Sequence, residues 1–332
     1  MAHSGCGGRD ANGHTAEEVV VSPTFHITTY FTHFREQFFY FLSSGSMLCY
    51  DIVMSERPKP YVGISGVTSP EQQHHYEQVF HEVGLRDEGR RLAIGVKAVH
   101  KTQYLDINNK YGPAWYPVGE AAFQSAATES TNAQESINVA QAYLDVAHVG
   151  DPKYRQDFTE RIFRRGRPWI DGIQFDMLPW HSDAGITSFL HDVKQSHPDK
   201  LTLLQCHGAA MEELGAKKAI QSLGTVATAI DYVLFDASHG TGRRLDVARL
   251  RPFLDEASSS SALVSVGLAV AGGLNAQVVR EDLPEILDEF PQVSWDAEGQ
   301  LHSIDSHGER PLDEQIVSGY LAASRDVLRN AS

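Results

Sequence analysis

Cysteine is scarce in this chain of 332 residues, which has only Cys6, Cys49 and Cys206. The number is odd and no two form a CxxC pair, so neither a disulfide framework nor a structural zinc site is expected to organise the fold. A reducing cytoplasm is the simplest compartment for such a chain. Basic excess is also lacking. The formal net charge is −15 with His counted neutral, which opposes non-specific nucleic-acid binding, because no cations are spare to neutralise phosphates. The two basic clusters, Arg161 to Arg167 and Arg243/Arg244, are expected on solvated surfaces, although a local basic pocket could still hold a small anion. No run reaches the roughly 20 apolar residues needed to span a bilayer. The nearest, Phe25 to Leu42, contains His33, Arg35 and Glu36 and lacks the features of a secretory signal, so no membrane partner is expected. There is no repeat at solenoid or propeller period.

What is present suffices for a large core, with 42% hydrophobic and 21% charged residues. Residues 1–58 read differently from the rest. Met1 to Glu18 is rich in Gly, Ala and His without apolar periodicity, and disorder is expected there. The aromatic patch at residues 25–42 fits neither a clean helix nor a clean strand. Met54 to Pro60 is a polar, Pro-containing lead-in to a strong strand. The upstream segment is therefore read as an N-terminal extension. It comes either from a start codon placed too early or from a real element that covers a barrel or meets a partner.

From Tyr61 onward, short apolar runs alternate with helical stretches. The runs are Tyr61–Ser65, Leu92–Val99, Ala142–Ala147, Gly172–Phe175, Leu201–Gln205, Tyr232–Phe235, Ser265–Val270 and Gln292–Ser294. Strand–helix units in series imply a parallel sheet, because parallel strands need long crossovers. Eight units in about 270 residues predict one (β/α)8 TIM barrel over residues 59–330. An open doubly wound sheet is the alternative, weakened by the absence of GxGxxG after the first strand. The stretch Lys101 to Gln134, with Tyr104, Tyr111, Trp115 and Tyr116, is either a lid over the site or a loop packed on the barrel top.

Three glycine-bearing turns follow the last strands: Asp236 to Gly242, Ala271 to Asn275, and Asp296 to Gly299. Glycine lets backbone N–H groups approach an anion, and barrels commonly hold phosphate after their last two strands. Gly240, Gly242, Gly272, Gly273, Asn275 and Gly299 are thus candidate phosphate-binding residues, against the plainer reading of simple turn chemistry. At other strand ends stand His100, His148, Asp176, His207 and Asp236, which a barrel would direct toward one mouth.

Several segments resemble the phosphoribosylanthranilate isomerase family. Ile64-Ser-Gly-Val-Thr-Ser-Pro-Glu71 is similar to its opening strand and turn, normally Ile-Cys-Gly-Ile-Thr. Asp231-Tyr-Val-Leu-Phe-Asp236, with His239-Gly-Thr-Gly242 and Leu245-Asp246, resembles its Leu-Leu-Leu-Asp and Gly-Gly-Thr-Gly segment. Ala269-Val-Ala-Gly-Gly-Leu-Asn275 resembles its phosphate turn. The match is patchy over residues 60–328, close from Asp231 to Asn275 and weak from Lys101 to Arg167. It implies an Amadori rearrangement of a phosphorylated ribose derivative without metal or cofactor, in a monomer or homodimer. It maps the general acid onto Asp236 and the base onto Ser65, where the family has cysteine. Serine is a poorer proton acceptor and needs its own activating base. Asp176, which departs from the family pattern at strand four, is a replacement candidate. Two further readings stay open: a metal-dependent epimerase or lyase using His100, His148, Asp176 and His207, and a catalytically silent phosphate-binding barrel.

Overall fold

In a computed structural model of the chain, residues 57–331 are described apart from 132–134, 239–241, 305 and 307–309; upstream, only four strands are described. The chain divides into two units, Met1–Glu56 and Arg57–Ser332. In the first, β1 (Ala16–Ser22) pairs antiparallel with β2 (Phe25–Tyr30), and β3 (Phe38–Phe41) with β4 (Met47–Tyr50). The aromatic patch therefore contributes strands, which its sequence did not indicate. Of the disorder expected over Met1 to Glu18, residues 1–15 lie outside the described residues, and Ala16 to Glu18 instead open β1.

The second unit is a closed barrel of eight parallel strands. They are β5 (Tyr61–Ser65), β6 (Arg91–Val99), β7 (Ser136–Tyr143), β8 (Gly172–Asp176), β9 (Leu201–His207), β10 (Tyr232–Asp236), β11 (Gly267–Ala271) and β12 (Ser294–Ala297). The ring closes where β12 pairs with β5 through Trp295↔Val62 and Asp296↔Gly63. The crossovers carry helices α1 (Pro70–Val83), α2 (Gly119–Ala126), α3 (Pro152–Arg165), α4 (Ala184–Ser196), α5 (Gly208–Gly224), α6 (Val247–Ser259), α7 (Ala276–Leu287) and α8 (Glu314–Ala331). Local chemistry starts them. Ser69, Asp151, Asp183, Asp246 and Asn275 accept backbone N–H bonds at helix N-termini, and Pro70 and Pro152 fill first-turn positions where no N–H donor is required.

The strands are buried on both faces, and the two faces bury different things. Outward residues such as Ile64, Ile94, Ile173, Val233 and Trp295 form the main core against the helices. Inward residues build layers inside the ring. The deep layers are apolar, with Tyr61, Ala93, Val139, Leu203, Tyr232, Leu234 and Ala269. Above them, toward the C-terminal strand ends, the lining turns polar. This change within single strands places the candidate site.

Two strand boundaries differ from expectation and matter. The third strand is Ser136–Tyr143, not Ala142–Ala147. Two polar residues in its interior broke the apolar pattern: the Asn138 amide binds the carbonyls of Thr128 and Trp169, and Gln141 faces the barrel interior network. The last strand is Ser294–Ala297, so Asp296 lies on a strand and not in the turn after it.

Candidate active site

The C-terminal mouth holds a cavity of about 220 Å³, lined by Tyr111, Trp115, Tyr116, Tyr143, Gln174, Met177, Gln205, His207, Asp236, Ser238, Asp296 and Glu298 together with Gly242, Gly272, Gly273 and Gly299. That is room for a small molecule. Asp236 and Asp296 stand at one level of the barrel: Asp236 pairs with Ala271, and Ala271 with Asp296. Two inter-strand spacings separate their backbones, roughly 10 Å, with only a small alanine between.

Asp236 is held from two sides. Its Oδ1 accepts the Ser238 backbone N–H at 2.8 Å and the Ser238 hydroxyl at 2.6 Å, while Gln205 Nε2 donates to Oδ2 at 3.3 Å. Asp296 lies deeper. Ser65 Oγ donates to its two oxygens at 3.0 and 3.1 Å, and Gln141 Nε2 donates both to Ser65 Oγ and, at 3.2 Å, to Asp296 Oδ2. Glycine at position 95 makes this possible, since a Cβ there would stand 2.7 Å from Ser65 Oγ. Burial pushes the Asp296 carboxyl up to about 7, against the pull of Lys97 and of the Ser65 hydrogen bond.

A second buried cluster adjoins the first. Lys97 has a side chain 0% exposed, and its Nζ stands 2.6 Å from Glu298 Oε2 and donates to Tyr143 Oη at 2.8 Å. Asp176 accepts from Gln174 Nε2 at 2.9 Å. Burial likewise raises its carboxyl to about 7, with Lys97 opposing. Three carboxylates thus share one lysine, and burial sends Tyr143 well above the ordinary phenol range.

Backbone geometry at the mouth is unusual. Gly272 and Gly273 have φ of +136° and +52°, and a Cβ on Gly273 would collide with the Arg243 carbonyl and stand 2.6 Å from that of Gly242. The turns after β10 and β11 are therefore packed directly together, and Gln300 Nε2 ties the third turn to the Gly242 carbonyl at 3.2 Å. Met177, just past β8, has φ of +61°, a conformation uncommon for a residue with a side chain. The aromatic loop reaches this mouth. Trp115 stacks on His302 at 4.2 Å between ring centroids, and Arg310 lies over Trp115 at 5.0 Å. The loop is anchored by buried Arg165, which binds Asp106 and the Gln103 carbonyl, both at 2.8 Å. Arg165 is thus an anchor and not part of a solvated basic face. Arg244 is exposed and pairs with Glu281 and Asp282.

The expected site residues separate into groups. Asp236, Gly242, Gly272, Gly273 and Gly299 line the cavity. Gly240 lies outside the described residues. Asn275 spends its side-chain oxygen capping α7, on the N–H groups of Gln277 and Val278, so it is a helix cap and not a ligand-facing group. Ser65 is 0% exposed and donates its proton to Asp296; it is no free base. Asp176 sits in the buried layer and is absent from the cavity wall.

The four-residue metal set does not assemble. His100 opens a π-helical turn, His100–Tyr104, bonds the Tyr154 hydroxyl through Nδ1 at 2.9 Å and lies against His148, outside the cavity lining. His207 lines the cavity and caps α5. Among the described residues no three metal-ligating side chains gather. Sequence reading did not name Lys97, Gln141, Tyr143 or Glu298 as site residues, and it took Asp296 only as a turn residue. The available signal was a lone lysine inside the apolar run Leu92–Val99.

No family model matches, and no curated protein matches the sequence. Among solved structures, the chain is similar to a tryptophan synthase subunit alpha from Legionella pneumophila str. Paris, at 14% identity over 82% of this chain and 93% of that one, with TM-score 0.47. It is also similar to a tryptophan synthase alpha chain from Legionella pneumophila subsp. pneumophila, at 15% identity over 82% and 92%, with TM-score 0.44. A third is PhdJ bound to a substrate intermediate, at 14% identity over 72% and 66%, with TM-score 0.40. No helix among the described residues is long and apolar enough to cross a membrane.

Proposed function

We propose that the chain is an acid–base isomerase of a phosphorylated ribose derivative, performing an Amadori-type conversion of an aldose amine to a ketose amine. The observation that carries the reading is the pair Asp236 and Asp296, level with each other on β10 and β12 and both facing one small cavity. The resemblance to phosphoribosylanthranilate isomerase supplies the substrate class, with the phosphate received by the backbone of the Gly272–Gly273 and Glu298–Gly299 turns.

The reaction needs one group to protonate the ring oxygen and another to remove the C2′ proton after ring opening. Asp236 is the acid. Ser238 holds its Oδ1 and Gln205 its Oδ2, which fixes the carboxyl facing the cavity. Asp296 is the base. A carboxyl raised to about 7 takes a proton from carbon more readily than an ordinary carboxylate and is still largely ionised at mildly alkaline pH. Ser65 keeps the position the family gives its cysteine but acts through Asp296, as a donor that orients it.

The test is direct. Purified protein incubated with phosphoribosylanthranilate should consume anthranilate fluorescence, and the gene should restore growth of a tryptophan auxotroph lacking the isomerase. Absence of both, with folded protein, rejects the substrate assignment.

A further inference from the structure

Lys97 is a fully buried cation beside the mouth that the proposed isomerisation leaves without a chemical task. We propose that Lys97 is an imine-forming nucleophile, and that the cavity captures a small aldehyde or ketone covalently on its Nζ. The capture does not rest on the isomerase reading, since it uses neither Asp236 nor Asp296 as acid or base.

The argument begins with cost. A lysine is rarely placed inside a barrel, because removing an ammonium from water is expensive and the long side chain loses its rotamer freedom. If its task were only to neutralise buried carboxylates, the fully buried Asp176 would be expected as its nearest partner. Its two direct contacts are instead Glu298 at 2.6 Å and Tyr143 at 2.8 Å, and both line the cavity. The Nζ is therefore one group removed from bound ligand. Glu298, with a side chain 34% exposed, reaches from the buried Nζ to the cavity. A buried lysine acts as an amine nucleophile once its ammonium gives up a proton, and Glu298 stands in place to take it.

The balance of the step fits these neighbours. Glu298 takes one proton from the Lys97 ammonium, freeing the nitrogen lone pair. The lone pair attacks the carbonyl carbon, and the C=O π pair moves to oxygen, which takes a second proton from nitrogen. Glu298 returns its proton to that hydroxyl, the C–O bond breaks, and water leaves as the C=N bond forms. An ammonium and a carbonyl become an iminium and water, with the positive charge kept on nitrogen. The Tyr143 hydroxyl, within hydrogen-bond reach of both Nζ and, at 3.4 Å, Glu298, bridges the two proton carriers.

Reductive trapping tests this. The full chain is incubated separately with dihydroxyacetone phosphate and with pyruvate in the presence of sodium cyanoborohydride, and each product is digested and mapped by mass spectrometry. The expected result is one reduced adduct per chain, on the peptide bearing Lys97, with at least one probe. Labelling without assistance would reach exposed lysines such as Lys153 first, so selective modification of a fully buried lysine is diagnostic. The Lys97→Arg variant keeps the charge but cannot form the imine and should lose the adduct completely, its folding checked by thermal melting. Wild-type protein whose Lys97 peptide stays unmodified with both probes, whether or not other lysines react, overturns the proposal without reference to any variant.

Discussion

Replacing Asp296 with Asn should change the pH dependence of stability in a calculable way. The wild-type carboxyl is largely withdrawn from water, and that desolvation raises it from its ordinary 3.8 to about 7. Below the unfolded value it is neutral in both states and exerts no differential effect. Between there and about pH 7 the unfolded chain ionises while the native chain keeps its proton, so stability falls as pH rises. Above about 7 both are ionised and the loss is complete. Three units at about 1.36 kcal/mol each give a loss of roughly 4 kcal/mol from this one group. Asparagine does not titrate. It also gives up a hydrogen bond, because its amide would face the Gln141 donor; that cost, about 1 kcal/mol, is the same at every pH. Lys97 keeps Glu298 as partner. The stability of the variant relative to wild type should therefore improve by roughly 2–3 kcal/mol between pH 5 and pH 8. Urea unfolding of both proteins at pH 5, 6, 7 and 8 measures it. A gap that stays constant across that range, or that moves in favour of wild type, would show that Asp296 is not held protonated by burial. The same substitution should lower isomerisation about 10²–10⁴-fold, the usual contribution of a general acid or base.

Asp236→Asn should cost about 10²–10⁴-fold in kcat with KM little changed, whereas Ser65→Ala should cost far less and shift the alkaline-active profile upward in pH, because Asp296 loses a hydrogen bond that stabilises its ionised form. Steady-state pH profiles of the two variants separate these roles, and equal losses would contradict them. Gly273→Asp should abolish binding of phosphorylated ligands measured by calorimetry, since a Cβ there meets the Arg243 carbonyl and the new charge repels phosphate; unchanged affinity would move the anion site elsewhere. A chain beginning at Met54 should be well behaved and melt at about the temperature of the full chain. A large drop in Tm would show that residues 1–53 contribute to the barrel's stability.

The barrel was legible because its strands are written in the outward-facing residues. Ile64, Ile94, Val233 and Val270 all pack in the main core against the helices, so each gives an apolar run regardless of what the inner face carries. The helix starts were legible from Ser69-Pro70 and Asp151-Pro152. Less legible was any strand whose inner face is polar. In β7, Gln141 and Asn138 divide the apolar run, and the apparent strand moved six residues along, to a segment that includes the turn at Asp145. In β12 the same effect hid Asp296, because a buried aspartate facing a barrel interior reads as the first residue of a turn.

The candidate site was half visible for a related reason. Glycine turns announce themselves, since a φ of +52° at Gly273 leaves few other residue types, and Asp236 ends a strand that looks like a strand. The inner polar layer does not announce itself. Lys97, Gln141, Asp176 and Asp296 come from four strands, β6, β7, β8 and β12, and each alone looks like an irregularity in a hydrophobic segment. Only closure of the ring brings them within reach of one another, and closure is set by register: Ser65 opposite Gly95, and Lys97 opposite Gln141. The correction to Ser65 follows from the same geometry. Its position on β5 was readable from the motif, but its partner lies 231 residues away, on the strand that completes the barrel. That contact makes the serine a donor to Asp296, and the proposed isomerisation accordingly gives Asp296 the role of base.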